Sequence, residues 1–374
     1  MDTIGDYQLT FCLLDDIKQL EHEWLALESQ SNSNIFLSWA WISTWIETFR
    51  PQLNILRVCF HGELVALAAL VIKEEVRYYT IKSKRLHLHQ TGDPKKDQIW
   101  IEYNGILTKK EHEEAIKKVV LQYLMSFSKT WDELITGAIT EKDALLLERA
   151  GDLMRHDIWN APCYGVDLKK IRDSNTDYLS TLSRNTRYQI KRSIKIYQKS
   201  GMLNIEYASN KESALYQFNK IGPLHMMRWG TGVGKSGFAN PYFVKFHRNL
   251  IDNNWDKGLI NLINVHIEGK SIARFYNFIY RNQIYFYLSG LIIEPDSKLK
   301  PGLTGHALCI QEYINKGFDF YDFMGGGERY KESLAIQHQH LVCICLQKRK
   351  IKFKLENIGR RVKRLLMNDV HSST

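Results

Sequence analysis

The segment that most constrains this fold runs from Gln283 to Leu334. Gln283-Ile-Tyr-Phe-Tyr-Leu-Ser-Gly-Leu-Ile-Ile293 is aromatic and branched, the composition of a strand. A Pro/Gly loop follows, then a helical run from Leu303 to Asn315 with a stop at Gly317. Phe318 to Phe323 reads as a second strand, followed by Gly325-Gly-Gly327. Strand, loop, helix, strand is a crossover unit, so the two strands are expected to lie parallel. The loop between Pro295 and Gly305 then sets free backbone N–H groups at a helix N-terminus, where a phosphate binds readily.

At 374 residues the chain suits two domains of ordinary size, and 44% hydrophobic residues are enough for two cores. Its net charge of +10 points to anionic partners: a coenzyme phosphate, a membrane surface or nucleic acid. Basic residues spread over two helices and a tail match no nucleic-acid reader motif, which disfavours the last. The acidic start, Met1 to Asp6, lacks the basic and apolar regions of a signal peptide. The longest apolar run, Leu64 to Ile72, is too short to span a bilayer. Six cysteines without Cys-x-x-Cys spacing read as buried thiols in a reducing cytosol. A cytoplasmic protein is expected.

Helical spacing appears at residues 17–28 and 39–49, and a hairpin at 54–60 and 64–72. A strand near 77–81, an aromatic strand-like segment near Trp100, a helix at 110–127 and a strand at 133–139 follow. The second half repeats that order: a long helix near 176–200, helices at 215–228 and 241–253, a hairpin at 259–267 and 272–280, and the crossover unit. A last strand covers 340–347. The reading is a mixed α/β (α+β) fold with an internal duplication. The expected domains are 1–160, 161–347 and a tail at 348–374, with Pro162 interrupting the periodicity at the boundary.

Several segments, in order, carry a resemblance. They are Phe36-Leu-Ser-Trp-Ala-Trp41, Leu182-Ser-Arg-Asn-Thr-Arg187 with Lys191-Arg192, Leu224-His-Met-Met-Arg-Trp229, Phe246-His-Arg-Asn-Leu250, Lys300-Pro-Gly302, and Tyr321-Asp-Phe-Met-Gly-Gly326 with Tyr330-Lys331. Together they resemble the cellulose-biosynthesis (CelD/BcsL-like) branch of the GNAT acyltransferases, which is similar to FemAB-type transferases. The resemblance implies two tandem GNAT-like domains, each a mixed, mainly antiparallel sheet flanked by helices, the first degenerate and the second carrying the site. It also implies acyl transfer from acetyl-CoA or another acyl-CoA to an amine or hydroxyl of a sugar, polysaccharide or envelope precursor. The implied carrier contacts are Leu288, Ser289, Lys300, Gly302, Leu303, Thr304 and Gly305. One departure stands out: Leu299-Lys-Pro-Gly-Leu-Thr-Gly305 keeps glycines of the family's pyrophosphate loop but not its leading Gln or Arg.

Acyl transfer from a thioester needs a nucleophile, a proton acceptor, an oxyanion donor and an acid for the leaving thiolate. No Gly-x-Ser-x-Gly elbow or Cys/His spacing indicates a covalent intermediate, so direct attack is the simpler mechanism. Four residues are candidates for proton transfer: His225, Asp322 at a strand end, Glu328, and Tyr330 as an acid for the thiolate. These positions after the glycine turn also fit helix capping, with Glu328 a surface residue. Arg228, three residues after His225 on one helical face, can hold a carboxylate or phosphate. Arg184, Arg187, Lys191 and Lys195 form one stripe that fits an anionic ligand or a solvated face. Asn185, Trp229, Tyr287 and Lys331 complete the substrate-binding candidates. Tyr285, Tyr287 and Ser289 alternate and are expected to share a strand face.

Gly230-Thr-Gly-Val-Gly-Lys-Ser236 is not a phosphate loop, because position 229 is Trp and a helix precedes it. No histidine spacing predicts a metal. The tail combines apolar positions Ile351, Leu355, Ile358, Val362 and Leu365 with nine basic residues between Lys348 and Arg364. It fits an anionic membrane surface, making the protein peripheral at the inner membrane face, or docking of its apolar stripe on the second domain. Two other functions stay open: aminoacyl transfer from charged tRNA, and a non-catalytic scaffold in exopolysaccharide assembly.

Overall fold

A computed structural model describes residues 2–77, 81–126 and 130–356. The first half contains β1 (Asp2–Ile4), β2 (Tyr7–Leu13), α1 (Ile17–Ser29), α2 (Trp39–Phe49), β3 (Leu53–Phe60), β4 (Glu63–Arg77) and β5 (Ile81–Leu88). It continues with β6 (Leu107–Thr108), α3 (Glu113–Ser126), β7 (Glu133–Thr140), α4 (Glu141–Arg149) and β8 (Leu153–Asp167). The second half has α5 (Leu168–Asp173), α6 (Tyr178–Thr181), α7 (Arg184–Tyr197), β9 (Leu203–Tyr207), α8 (Lys211–Trp229), α9 (Pro241–Asn254) and β10 (Ile260–Ile267). It ends with β11 (Lys270–Tyr280), β12 (Gln283–Leu291), α10 (Pro301–Asn315), β13 (Phe320–Gly325), α11 (Arg329–Leu334) and β14 (Ile336–Lys348).

The strands join in one sheet in the order β1-β2-β3-β4-β5-β7-β14-β8-β13-β12-β11-β10-β9, with β6 on β4. From β2 to β8 and from β9 to β14 the elements follow one repeated plan, set by the hydrophobic periods of the sequence. Each half has one parallel step, β5 with β7 and β12 with β13, where a helix crosses over. The last strands are exchanged. β8 leaves its own half to pair with β13, while β14 returns to pair with β7. β8 and β14 then pair antiparallel with each other along most of their length.

Three apolar clusters fill the faces. Trp24, Trp41, Trp45, Phe218, Phe246 and Tyr276 belong to one that spans both halves, packing α1 and α2 with α8 and α9. The others bury α3 and α4 under the first half of the sheet, and α7 and α10 under the second. All six cysteines are free. Among the described residues no helix is long and apolar enough to cross a membrane.

Four expectations change. β8 runs unbroken through Pro162, which pairs with His340 rather than ending an element. The long helix near 176–200 is two, because Ser183 turns out of helical geometry and caps α7 through the Thr186 N–H. The segment around Trp100 is not a strand. Trp100 and Tyr103 have φ of 44° and 47°, left-handed values that interrupt a regular extended run twice within four residues. In the tail, Ile351 and Leu355 are exposed, and Phe353 and Glu356 are buried instead. Lys350 and Lys352 both bind Asp132, at 2.6 and 2.7 Å, so this part docks on the first half. Ile358, Val362 and Leu365 lie outside the described residues.

Candidate active site

β12 and β13 pair only through Gln283–Tyr285 and Phe320–Asp322, then part. Irregularities in both strands cause the divergence. Opposite Tyr276 and Asn277, β12 carries an extra residue, Tyr287. In β13, Met324 takes a φ of 60° and the pairing with β8 slips between Asp322 and Gly325. The gap is a cavity of about 440 Å³, with Phe286–Ser289 on one wall and Phe323–Gly325 on the other. The end of α8 contributes His225, Arg228 and Trp229, and the start of α11 contributes Tyr330 and Lys331, preceded by Glu328. The first half supplies Trp100, Glu102 and Trp159.

Glu102 is the residue that the sequence reading missed. It stands between the left-handed Trp100 and Tyr103, backbone that costs energy and often marks functional loops. Its Oε2 accepts the Gly325 N–H at 2.7 Å. Burial pushes this carboxyl up to about 7, with Asp322 and Glu328 adding to the rise, against the pull of Lys331 and the Gly325 N–H. A carboxyl balanced near neutrality beside a cavity is suited to proton transfer. The signal available in sequence was one acid inside the apolar run Ile99-Trp-Ile-Glu-Tyr103.

The glycine run has a local reason. A Cβ on Gly325 would lie 3.0 Å from the Trp159 ring and 3.2 Å from Glu102 Oε2. Gly326 needs a φ of 147°, in the region that favours glycine. Lys331 is buried, donates to the Gly325 carbonyl at 2.7 Å and lies 3.3 Å from Glu328 Oε2. Tyr330 stacks on His306 with ring centres 5.6 Å apart, and the Arg228 guanidinium sits 5.9 Å from its ring. Burial and Glu328 push the Tyr330 phenol well above its ordinary value, so it keeps its proton. His225 Nδ1 is 2.7 Å from the buried Ser236 Oγ. Burial and the neighbouring Arg228 push His225 down to about 4, leaving it neutral near pH 7.

The cavity therefore gathers His225, Arg228, Trp229, Tyr287, Leu288, Ser289, Glu328, Tyr330 and Lys331 from the expected set. Asp322 is elsewhere. It accepts from the Tyr103 hydroxyl at 2.7 Å and lies 3.5 Å from His338, on a separate polar cavity of about 440 Å³. The bulge also corrects the expected strand face: Ser289 pairs with Phe275, on the α10 side, while Leu288 packs in the other cluster.

The α10 turn is more closed than expected. The Lys300 N–H donates to Ser193 Oγ of α7 at 2.9 Å, and Thr304 Oγ1 lies 2.8 Å from the same oxygen. Thr304 is buried, and Gly305 is packed where a Cβ would strike the Phe275 ring. Pro301 has no N–H, which leaves Gly302 and Leu303 as the first-turn amides without an intrahelical acceptor. On α7, Arg184 and Asn185 are exposed and Arg187 donates to the Ser180 carbonyl; none lines the cavity. Among the described residues no group of three or more His, Cys, Asp or Glu is placed to hold a metal ion.

Residues 184–332 match the family model described as acetyltransferase (GNAT) domain. No curated protein sequence matches the chain. Among solved structures, FemX aligns over 88% of this chain and 96% of its own at 11% identity, with a TM-score of 0.56. A conserved protein of unknown function from Bacteroides thetaiotaomicron VPI-5482 aligns over 91% and 100% at 9% identity, TM-score 0.53. A tandem GNAT protein from the clavulanic acid biosynthesis pathway aligns over 91% and 98% at 10% identity, TM-score 0.49. The chain has a GNAT/FemAB-like α/β fold built from two GNAT-like halves.

Proposed function

We propose that the protein is an acyltransferase that moves an acyl group from an acyl-CoA directly to an amine or hydroxyl acceptor in the cavity between β12 and β13. The observation that carries this reading is the open gap between two parallel strands with Glu102 at its edge. In the proposed step the acceptor heteroatom attacks the acyl carbonyl and forms the new bond to carbon. Its proton passes to Glu102, a base near its own titration point. Arg228 and Lys331 bring positive charge toward the developing oxyanion. The carbon–sulfur bond then breaks, and Tyr330, still protonated, is the proposed donor to the leaving thiolate. His225, neutral and held by Ser236, is a positioning residue at the cavity wall rather than the base. The acceptor class favoured by the family resemblance is a sugar, polysaccharide or envelope precursor of the CelD/BcsL type.

The test is release of free coenzyme A thiol from acetyl-CoA and longer acyl-CoAs with amino-sugar and hydroxyl acceptors, alongside calorimetric binding of the thioesters. Folded protein that binds no acyl-CoA rejects the reading. One observation favours a second: Ser193 occupies part of the α10 first turn, where the family's pyrophosphate would sit. Aminoacyl transfer from charged tRNA, suited to the net charge of +10, is then the alternative. Binding of aminoacyl-tRNA without binding of coenzyme A selects it.

A further inference from the structure

A proton acceptor carried on a loop works only if the loop is held in register with the reacting atoms. Glu102 is tied to the sheet through the Gly325 N–H, and the next residue supplies a second tie. Tyr103 is buried, and its hydroxyl donates to Asp322 Oδ2 at 2.7 Å. Asp322 Oδ1 in turn accepts the Met324 N–H at 2.6 Å. An aspartate bonding the N–H two residues on is the pattern that turns a chain out of its strand, and Met324 is the left-handed residue at which β13 leaves β12. The contacts close a ring: Glu102, Tyr103, Asp322, Met324, Gly325 and back to Glu102. Glu102 lines the β12/β13 cavity from this ring, whereas Asp322 lines the separate polar cavity.

The loop backbone is held from the other direction. The Asn104 N–H donates to the Ala138 carbonyl at 2.7 Å, and Asn34 Nδ2 to the Tyr103 carbonyl at 2.8 Å. These bonds fasten the loop to the first half and leave the Tyr103 ring and Asp322 as its bridge to β13. Packing alone does not call for a carboxyl there, since burying one costs energy that an apolar side chain avoids. Asp322 also acts through its charge, which with that of Glu328 strengthens the hold of Glu102 on its proton, against Lys331. The other titratable groups facing Glu102 are Cys163 of β8, pushed up to about 12 chiefly by burial, and Tyr287 of β12, which burial pushes well up. Neutral His225 and the Arg228 guanidinium line the cavity from α8, and His338 of β14 lies 3.5 Å from Asp322.

We propose that Asp322 is a positioning residue for Glu102, holding the loop through Tyr103 and the break in β13 through Met324 so that the Glu102 carboxyl meets the open gap. Asp322 lines no part of that gap, so it acts through Glu102 and not on substrate. The kinetic consequence rests on the transferase reading; the contact between Glu102 and Gly325 is measurable without it.

Two variants of the full chain test it: Tyr103→Phe cuts the tie and keeps the charge, and Asp322→Asn keeps the shape and removes the charge. In Tyr103→Phe, kcat is expected to fall about tenfold or more while KM for the acyl-CoA stays unchanged. In Asp322→Asn, the rising limb of kcat/KM against pH is expected to move below about 7, because a like charge beside Glu102 is gone. Exchange of the Gly325 amide, followed by NMR without any turnover, is expected to quicken about tenfold in Tyr103→Phe. Native kcat with native Gly325 exchange in Tyr103→Phe overturns the proposal, and so does an unmoved pH limb in folded Asp322→Asn. A lowered melting temperature with native kinetics overturns it as well, since Asp322 then serves the fold alone. Should Asp322→Asn fail to fold, Tyr103→Phe decides. Should the native protein transfer no acyl group, Gly325 exchange decides by itself, so failure of the transferase reading and failure of this one are separate results.

Discussion

The two halves open the same gap and treat it in opposite ways. In the first, β5 and β7 pair through Arg85–His87 and Glu133–Ile135, then part at Gly137, where φ is 68°. Asn104 fills that gap, donating to the Leu88 and Thr136 carbonyls at 2.9 and 2.6 Å. Its Oδ1 lies 2.8 Å from His89 Nδ1, and His89 Nε2 accepts the Ala69 N–H. Burial pushes His89 down to about 4, so the plug is neutral. In the second half, β12 and β13 part around a cavity. Both outcomes come from one loop: Asn104 closes the first gap, and Glu102, two residues earlier, enters the second. One frame, used twice, leaves a cavity in one gap and a hydrogen-bonded structural joint in the other.

The sharpest break of this comparison is Glu102→Gln. It keeps the shape and removes the proposed base, and is expected to lower kcat by about 10²–10⁴ while the protein still folds. In the native protein kcat/KM is expected to rise with pH through about 7, as Glu102 loses its proton, and Glu102→Gln is expected to remove that limb. Stability runs the other way. A carboxyl raised in the folded state contributes most below its ordinary value of 4.5, and that contribution is lost as pH rises through about 7. Unchanged turnover in the variant would sink the role of Glu102.

Reopening the plugged gap is expected to act on stability instead. Asn104→Ala strands two strand carbonyls and His89, at about 1–3 kcal/mol for each group left unsatisfied. Urea unfolding reads that loss, with acyl transfer retained at low temperature; lost transfer in a folded variant would mean that the first half still takes part in chemistry. The smallest effect is expected from Ser236→Ala, which removes two neutral hydrogen bonds, the one with His225 and the one accepted from the Phe238 N–H, at about 0.5–1.5 kcal/mol each. A shift in KM larger than that in kcat would place His225 in binding rather than proton transfer.

Much of this was readable from the chain alone. The crossover unit and both hairpins follow from hydrophobic period and turn residues, while the clustering of His225, Arg228, Glu328, Tyr330 and Lys331 was implied by the family resemblance. What escaped depends on backbone geometry and distant pairing. Left-handed turns at Trp100 and Tyr103 look like strand residues by composition. The extra residue at Tyr287 reversed the facing of Ser289, because a one-residue slip flips a strand's pattern. Trp159 enters the site through the exchanged β8, and Ser193 meets Lys300 across more than a hundred positions. Nothing local announces such encounters.

The exchanged β8 and β14 carry a practical meaning for anyone seeking a minimal enzyme. Trimming the gene to the stretch that resembles an acetyltransferase would discard the carboxylate and two indoles that line the candidate cavity. It would also bare raw strand edges, inviting stray aggregation. The smallest unit able to work is therefore the interlocked whole, and melting should proceed as a single cooperative event rather than piece by piece.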